Sequence, residues 1–168
     1  TQVGFMGHSF GGGAMFGVSY RCFTENNWGE NGRLLFSLAP WYSYELTQTQ
    51  LQSFPANTRL IMQVYDDDNV NDHRMAIDIF NNINISNDEK DFILVKSDTL
   101  QGYVYAADHA VPGTYQVFDA LDYYAFYRLL DALCDYTFHG NAAGKAVALG
   151  NGSAAQLSMP TGLKPLLQ

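Results

Sequence analysis

Residues 2–13 read QVGFMGHSFGGG, and this short stretch decides the fold of the chain. An apolar run ends at Gly7, residues 7–11 form the pattern G-x-S-x-G, and small residues with helical spacing follow. This order predicts a sharp turn from a strand into a helix, with a strained serine whose hydroxyl stands at the carboxyl end of a sheet. The glycines two places before and after the serine are expected to leave room where strand and helix approach each other. The sequence therefore predicts that Ser9 is a nucleophile.

Two other interpretations of the turn are open. The serine is incidental in a glycine-rich turn, or the turn binds a phosphate group. The second interpretation fits less well, because the stretch has neither the G-x-G-x-x-G spacing nor the spacing of a P-loop, and no lysine follows.

Apolar runs and helical periodicity alternate along the chain. Buried strands are predicted at residues 2–6, 33–39, 59–65 and 91–96, and helices after the serine turn, at 73–83 and at 115–138. Alternation of this kind predicts an α/β fold with a mostly parallel sheet and helices on both faces. Residues 97–113 are expected to be a loop, and residues 41–58 irregular or a short helix. We expect residues 1–140 to form the catalytic part of one domain and residues 141–168 an irregular C-terminal extension.

A serine hydroxyl needs a general base, and the base needs an acid that orients it. In α/β folds that carry such a serine turn between a strand and a helix, the chain order is serine, acid, histidine, and the acid lies on a loop that follows a strand. Three aspartates follow the strand at residues 59–65. Asp67 is predicted to be the acid, because Val70 three places later is expected to pack into the core while the aspartate turns toward the site. Asp68 and then Asp66 are the alternatives.

His109 is predicted to be the base, since it lies on a loop after the last predicted strand. His73 is the alternative, although its position at the start of a helix favours a surface role. His8 adjoins the serine and cannot fold back to serve as its base. His139 closes the last long helix, where a positive imidazolium suits the negative end of the helix dipole.

Composition limits the possible partners. The chain has 168 residues, a net charge of −8 and a pI near 4.7, which argues against a nucleic-acid partner. No apolar run is long enough for a membrane span.

A metal-binding interpretation of residues 66–72, DDDNVND, lacks the glycine and the distal glutamate of an EF-hand loop. Cys22 and Cys134 are expected to be buried thiols, with a long-range disulfide as the alternative.

Residues 7–13, GHSFGGG, resemble the nucleophile turn of the α/β-hydrolase superfamily. Within it the chain is similar to the dienelactone-hydrolase-like, chlorophyllase-like and platelet-activating-factor-acetylhydrolase-like serine esterases, which share Gly-His-Ser-x-Gly-Gly. Asp67 with Val70, and Asp108 with His109, match the superfamily's acid and base positions. The resemblance spans residues 2 to about 138 and looks like the C-terminal half of such a fold, with the early strands missing.

This resemblance implies a carboxylic ester hydrolase that works through an acyl-enzyme, without cofactor or metal, on a small-molecule or lipid-like ester. The backbone N–H of Phe10 is expected to donate to the oxyanion, and the second donor to lie in a segment before Thr1 or in a separate chain that completes the fold. Trp41, Tyr42 and Tyr44 are expected to wall a substrate pocket or else to pack as core. A peptidase or amidase with the same triad and a non-catalytic binding module are the alternatives. The low charged fraction, 15%, favours a secreted or periplasmic location.

Overall fold

Four parallel strands form the centre of the computed structural model, which describes residues 1–43, 46–113 and 118–168. The strands are β1 (Val3–His8), β2 (Arg33–Leu38), β3 (Thr58–Tyr65) and β4 (Lys90–Val95). They lie in the order β1-β2-β3-β4, so each strand pairs with the next one along the chain. All four predicted strands are confirmed. Their carboxyl ends meet at one edge of the sheet, where the loops that follow them come together.

Six α-helices are present among the described residues. They are α1 (Phe10–Thr24), α2 (Gln48–Gln52), α3 (His73–Asn82), α4 (Arg128–His139), α5 (Ala142–Ala148) and α6 (Ala154–Leu157). The predicted loop at residues 97–113 instead contains a short hairpin, β5 (Asp98–Leu100) and β6 (Tyr103–Tyr105), and a 3₁₀ turn at Val111–Gly113. Tyr44 and residues 115–117 of the predicted helix at 115–138 lie outside the described residues.

Two hydrophobic cores cover the two faces of the sheet, because successive residues of a strand point to opposite faces. On one face Phe36 and Ile61 pack with Leu129 and Leu133 of α4. On the other face a second cluster joins the strands to α1 and α3, with Phe16, Leu35, Leu60, Met62 and Ile79 as members. Helices therefore cover both faces of the sheet, and the α/β class predicted from the sequence is confirmed.

The C-terminal segment is part of the sheet's core, and the expectation that residues 141–168 are irregular was wrong. Two helices, α5 and α6, occupy much of it, and Leu166 is buried. Leu167 then forms an antiparallel bridge to Leu94 of β4. The carboxylate of Asp91, also on β4, is buried and accepts hydrogen bonds from Asn151, Gln156 and Gln168. The segment lacks a strong sequence period because short helices and single contacts anchor it.

A π-helical segment, Leu121–Tyr127, runs directly into α4. The N–H of Arg128 donates to the carbonyl of Tyr123, five residues earlier. The buried amide of Gln63 on β3 donates to the carbonyl of Ala125, and the Arg128 guanidinium donates to the carbonyl of Tyr124. Two carbonyl groups of this turn thus accept hydrogen bonds from side chains, which is consistent with the i to i+5 hydrogen bonding of a π-helix.

Other features bear on earlier expectations. Cys22 and Cys134 are free and only partly buried, and they pack against opposite faces of the sheet. The alternative of a disulfide between them is therefore wrong. Among the described residues β1 pairs with β2 alone, and Met6 on β1 is 52% exposed. No helix in the described ranges combines the length and apolar character that a membrane crossing requires.

Candidate functional site

Ser9 lies between the end of β1 and the start of α1, as predicted. Its φ is 57° and its ψ is −124°, a conformation that a residue with a side chain rarely adopts. Two hydrogen bonds hold it there. The N–H of Ser9 donates to the carbonyl of Leu38 over 2.9 Å, and the N–H of Trp41 donates to the carbonyl of Ser9, also over 2.9 Å. The strained serine is therefore fixed by the neighbouring strand and the loop after it.

The glycines around the serine do not contribute equally. A Cβ at Gly7 would lie 2.3 Å from the carbonyl oxygen of Gly11, and a Cβ at Gly13 would lie 2.0 Å from the carbonyl oxygen of Tyr42. A Cβ at Gly11 would meet no atom of the described chain within 4 Å. The expectation that Gly11 makes room for the close approach was thus wrong. Gly7 and Gly13 are the positions where the backbones come close.

His109 reaches Ser9 from the loop after the hairpin, as predicted. Its Nε2 lies 2.8 Å from Oγ of Ser9, and its Nδ1 lies 2.8 Å from Oδ2 of Asp68. An ionised carboxylate can only accept, so Nδ1 carries the proton and donates it to Asp68. This leaves Nε2 as the acceptor for the serine hydroxyl. The three side chains form a continuous hydrogen-bonded relay.

The acid in this relay is Asp68, and the assignment of the contact to Asp67 was wrong. The Asp68 side chain is 1% exposed. Its Oδ1 accepts from the N–H groups of Val70 and Asn71, over 2.8 and 2.9 Å. Val70 does not pack into the core, since it is 56% exposed. The backbone N–H groups that follow Asp68 fold around its carboxylate in an Asx turn, which leaves Oδ2 for the histidine.

The other two aspartates of the cluster have different contacts. Asp67 is exposed and donates its backbone N–H to the carbonyl of Ala107, 3.1 Å away. Asp66 accepts a hydrogen bond from the N–H of Ser97 through its Oδ1. Both residues thereby tie the end of β3 to the chain that leads to His109. The pattern Asp68–Asn71, DNVN, was a sequence signal for an Asx turn at Asp68.

Opposing effects act on the pKa of Asp68. Burial of the carboxylate is the largest and raises the pKa, but hydrogen bonds from Asn71, His109 and Val70 outweigh it. The net pKa lies below the usual value, so the carboxylate is ionised at neutral pH. A fixed negative charge beside Nδ1 stabilises the imidazolium that forms when His109 accepts a proton.

His8 was set aside as a base and has a different contact. Its Nε2 lies 2.7 Å from the backbone carbonyl oxygen of His109, and the two imidazole rings are 4.7 Å apart between centroids. Burial is the main cause that lowers the pKa of His8, and the nearby His109 lowers it further, against the hydrogen bond to the carbonyl. Sequence reasoning missed this contact, because only the fold brings His8 beside a loop about 100 positions away.

The alternative bases are occupied elsewhere. The Nε2 of His73 lies 2.8 Å from the carbonyl oxygen of Tyr65, and His139 pairs with Asp135 on the exposed face of α4. Within the described ranges, no three His, Cys, Asp or Glu side chains are grouped as a metal site would require. The metal-binding interpretation of residues 66–72 has no support in this geometry.

The backbone at Trp41 and Tyr42 lies next to the nucleophile, because the N–H of Trp41 donates a hydrogen bond to the carbonyl of Ser9. Their rings meet edge to face at 5.5 Å, and Tyr42 is 58% exposed. A separate cavity of about 160 Å³ adjoins the His109 loop and is lined in part by Tyr103, Val104, Asp108, Val111, Asp119 and Asp122. Asp108, in the lining of this cavity, directly precedes His109 in the chain.

No family model matches the chain, and no curated protein matches it. The class that the fold defines is α/β, with a parallel sheet whose carboxyl edge brings Ser9, Asp68 and His109 together.

Proposed function

We propose that the chain is the catalytic part of a serine hydrolase of the α/β-hydrolase type that cleaves carboxylic esters. The observation that carries the proposal is the relay from Ser9 through His109 to Asp68, with both hydrogen bonds at 2.8 Å. A serine with an ordinary structural role has no need of a strained backbone, a hydrogen-bonded imidazole and a buried carboxylate behind it. The three together are the arrangement that activates a hydroxyl group.

In the proposed reaction, Oγ of Ser9 attacks the ester carbonyl carbon while Nε2 of His109 takes the hydroxyl proton. The carbonyl oxygen becomes a tetrahedral oxyanion, and the imidazolium is stabilised by Asp68. As the intermediate collapses, His109 returns the proton to the departing alkoxide, and an acyl-Ser9 ester remains. Water then attacks this ester while His109 takes one of its protons, and a second tetrahedral intermediate forms. As this intermediate collapses, His109 returns the proton to Oγ of Ser9, which releases the carboxylic acid and restores the free serine.

The oxyanion needs hydrogen-bond donors. Phe10 follows the nucleophile and is the first residue of α1, so its peptide N–H lies at the positive end of the helix dipole. We assign this group as one donor of the oxyanion hole. In the proposed fold, the second donor would come from a segment or a separate chain that adds a strand beside β1.

The resemblance of residues 7–13 to the nucleophile turn of α/β-hydrolases also supports a more specific assignment of the fold. The four strands would be the later strands of an α/β-hydrolase sheet, and a preceding segment or a separate chain would extend the sheet at β1. Among the described residues β1 is the edge strand of the sheet and pairs with β2 alone, which is consistent with further pairing there. The apolar rings of Trp41 and Tyr42 fit an acyl or aryl group of a small-molecule or lipid-like ester.

A fluorophosphonate probe tests the proposal, because it forms a stable adduct only with an activated serine. The full-length protein should be labelled, and peptide mass spectrometry should place the adduct on Ser9. Ser9→Ala should lose the label and lower ester turnover by several orders of magnitude. Ser43→Ala, in the loop after β2, is the control and should behave as the unmodified protein.

Parallel assays with matched ester and anilide substrates separate an esterase from an amidase. Turnover of the ester alone supports the proposal as stated. Faster cleavage of the anilide would assign the same triad to a peptidase or amidase. An adduct on a different serine would contradict the assignment of Ser9 as the nucleophile. An unlabelled protein without ester or anilide turnover would leave a non-catalytic binding module as the better interpretation.

A further inference from the structure

His8 has no role in the relay, yet it contacts the base directly. Its Nε2 lies 2.7 Å from the carbonyl oxygen of His109. A carbonyl oxygen can only accept a hydrogen bond, so Nε2 of His8 carries a hydrogen and donates it. His8 is partly buried, and its ring lies against the ring of His109 with the planes inclined by 42°.

We propose that His8 is a positioning residue that sets the distance between the nucleophile and the base, a role that rests on the proposed function. His8 is bonded covalently to Ser9 and by a hydrogen bond to the backbone of His109. The imidazole of His109 is in turn hydrogen-bonded through its Nε2 to Oγ of Ser9. These links close a small ring of contacts, so a shift of the His109 backbone away from His8 carries Nε2 away from Oγ unless the side-chain torsions of His109 change as well.

Other contacts of this loop hold its flanks. Ala107 lies two residues before the base. Its carbonyl accepts a hydrogen bond from the N–H of Asp67, and its N–H donates to Oγ of Ser97. The carboxylate of Asp108 accepts from the N–H of Ala110. The contact with His8 acts at the base residue itself. A displacement of about 1 Å at a reacting group is enough to lower a rate about 100-fold.

A histidine suits this position because it donates from the far end of a rigid ring while uncharged. The groups that influence its charge here are His109 and Asp68. A neutral ring beside His109 does not oppose the positive charge that His109 gains during the reaction, whereas a lysine or arginine would. Glutamine is the uncharged replacement that keeps a donor at a similar reach, and phenylalanine keeps a ring without a donor.

The test compares His8→Gln and His8→Phe with the unmodified full-length protein, using ester kinetics, the rate constant of fluorophosphonate labelling and thermal unfolding. We expect His8→Phe to lower kcat and the labelling rate by about 10- to 100-fold, with KM changed by less than about threefold. His8→Gln should recover most of the loss. The NMR signal of the proton between His109 and Asp68 should weaken in His8→Phe and return in His8→Gln.

Several results would overturn the inference. Labelling of His8→Phe at the unmodified rate would show that the contact does not position the base. An equal loss in His8→Gln, with unfolding temperatures unchanged, would show that the donor is not the relevant property. If the unmodified protein labels at Ser9 and these variants do not differ from it, the positioning role alone fails. If the unmodified protein neither labels nor turns over esters, the proposed function fails and the positioning role fails with it.

Discussion

The carboxylate of Asp68 lies 2.8 Å from Nδ1 of His109, whereas Asp67 offers the same loop only its backbone N–H. The two neighbours differ in what the fold does with their side chains. Asp68 is enclosed by the turn at Val70 and Asn71, and Asp67 is exposed. Adjacent residues with the same side chain therefore provide a matched pair for experiment.

Asp68→Asn should lower kcat by about 10⁴-fold, because the amide would favour the wrong tautomer of His109 and could not stabilise its positive form. Asp67→Asn keeps the backbone N–H that bonds to Ala107 and should leave kcat within about threefold of the unmodified value. Steady-state ester kinetics check both variants, and circular dichroism verifies that they fold. A larger loss in Asp67→Asn than in Asp68→Asn would reverse the assignment of the acid.

Gly13→Ala should destabilise the protein by about 3 kcal/mol or more, since the new methyl group would overlap the carbonyl of Tyr42. It should also reduce fluorophosphonate labelling, because the loop it displaces is bonded to Ser9 through Trp41. Gly11→Ala is the control and should stay within about 1 kcal/mol of the unmodified protein. Urea unfolding measures both. Equal stability of the two variants would contradict the close approach at Gly13.

Asn71→Ala should destabilise the protein by about 1–3 kcal/mol. The Asn71 side chain donates to the carbonyl of Ala39 over 2.6 Å, in a buried position, and Ala39 has a strained φ of 40°. Loss of this donor removes the hydrogen bond that joins the loop after β3 to the loop after β2. Asn69→Ala, at an exposed position, should change the stability by less than about 0.5 kcal/mol. Chemical unfolding measures the midpoints of both variants. Equal midpoints would show that the hydrogen bond from Asn71 to Ala39 does not stabilise the protein.

Asp91 predicts a pH dependence of stability. Its pKa is raised, chiefly by burial, although hydrogen bonds from Gln156, Asn151 and Gln168 act in the opposite direction. An acid whose pKa is higher in the folded state contributes stability that is complete below the unfolded pKa, roughly 4, and is lost as the pH rises through the folded value. Relative to Asp91→Asn, the unmodified protein should therefore lose stability as the pH rises from about 4 through the folded pKa of Asp91.

Urea unfolding of the unmodified protein and Asp91→Asn across this pH range measures the difference. Asp91→Ala removes the carboxylate that accepts hydrogen bonds from Asn151, Gln156 and Gln168, and should cost about 3 kcal/mol at neutral pH. The carboxylate of Asp68, whose pKa is lowered, should act with the opposite sign: its contribution is present above the unfolded pKa and is lost as the pH falls through the folded one. A difference between Asp91→Asn and the unmodified protein that does not change with pH would show that Asp91 has the same pKa in both states.

The sheet was predictable because its strands are continuous apolar runs. The position of Ser9 followed from the G-x-S-x-G pattern between a strand and a helix, and that of His109 from chain order. The acid was not settled by chain order, since Asp66, Asp67 and Asp68 all follow β3. Which carboxylate faces the histidine depends on the turn that the backbone makes after Tyr65. The sequence pattern could not resolve a difference of one residue in that turn.

The remaining differences have a similar origin. The hairpin β5–β6 is short and exposed, and therefore has little apolar alternation to reveal it. The tail at residues 141–168 is held by the buried carboxylate of Asp91 and the bridge at Leu94, contacts that span about 60 to 77 positions. His8 contacts a residue 101 positions away. Local periodicity carries no information about pairs so distant in sequence.

The two hydrogen bonds of the relay join residues 41 and 100 positions apart, so the site is assembled by closing two long loops. Closing loops of this length costs chain entropy before any contact compensates for it, and folds rich in such contacts form slowly. Helices can form locally within microseconds, long before β1 and the loop after β4 meet. During refolding the helical signal should therefore return ahead of reactivity at Ser9, and covalent labelling of that serine would time the arrival of the completed tertiary structure.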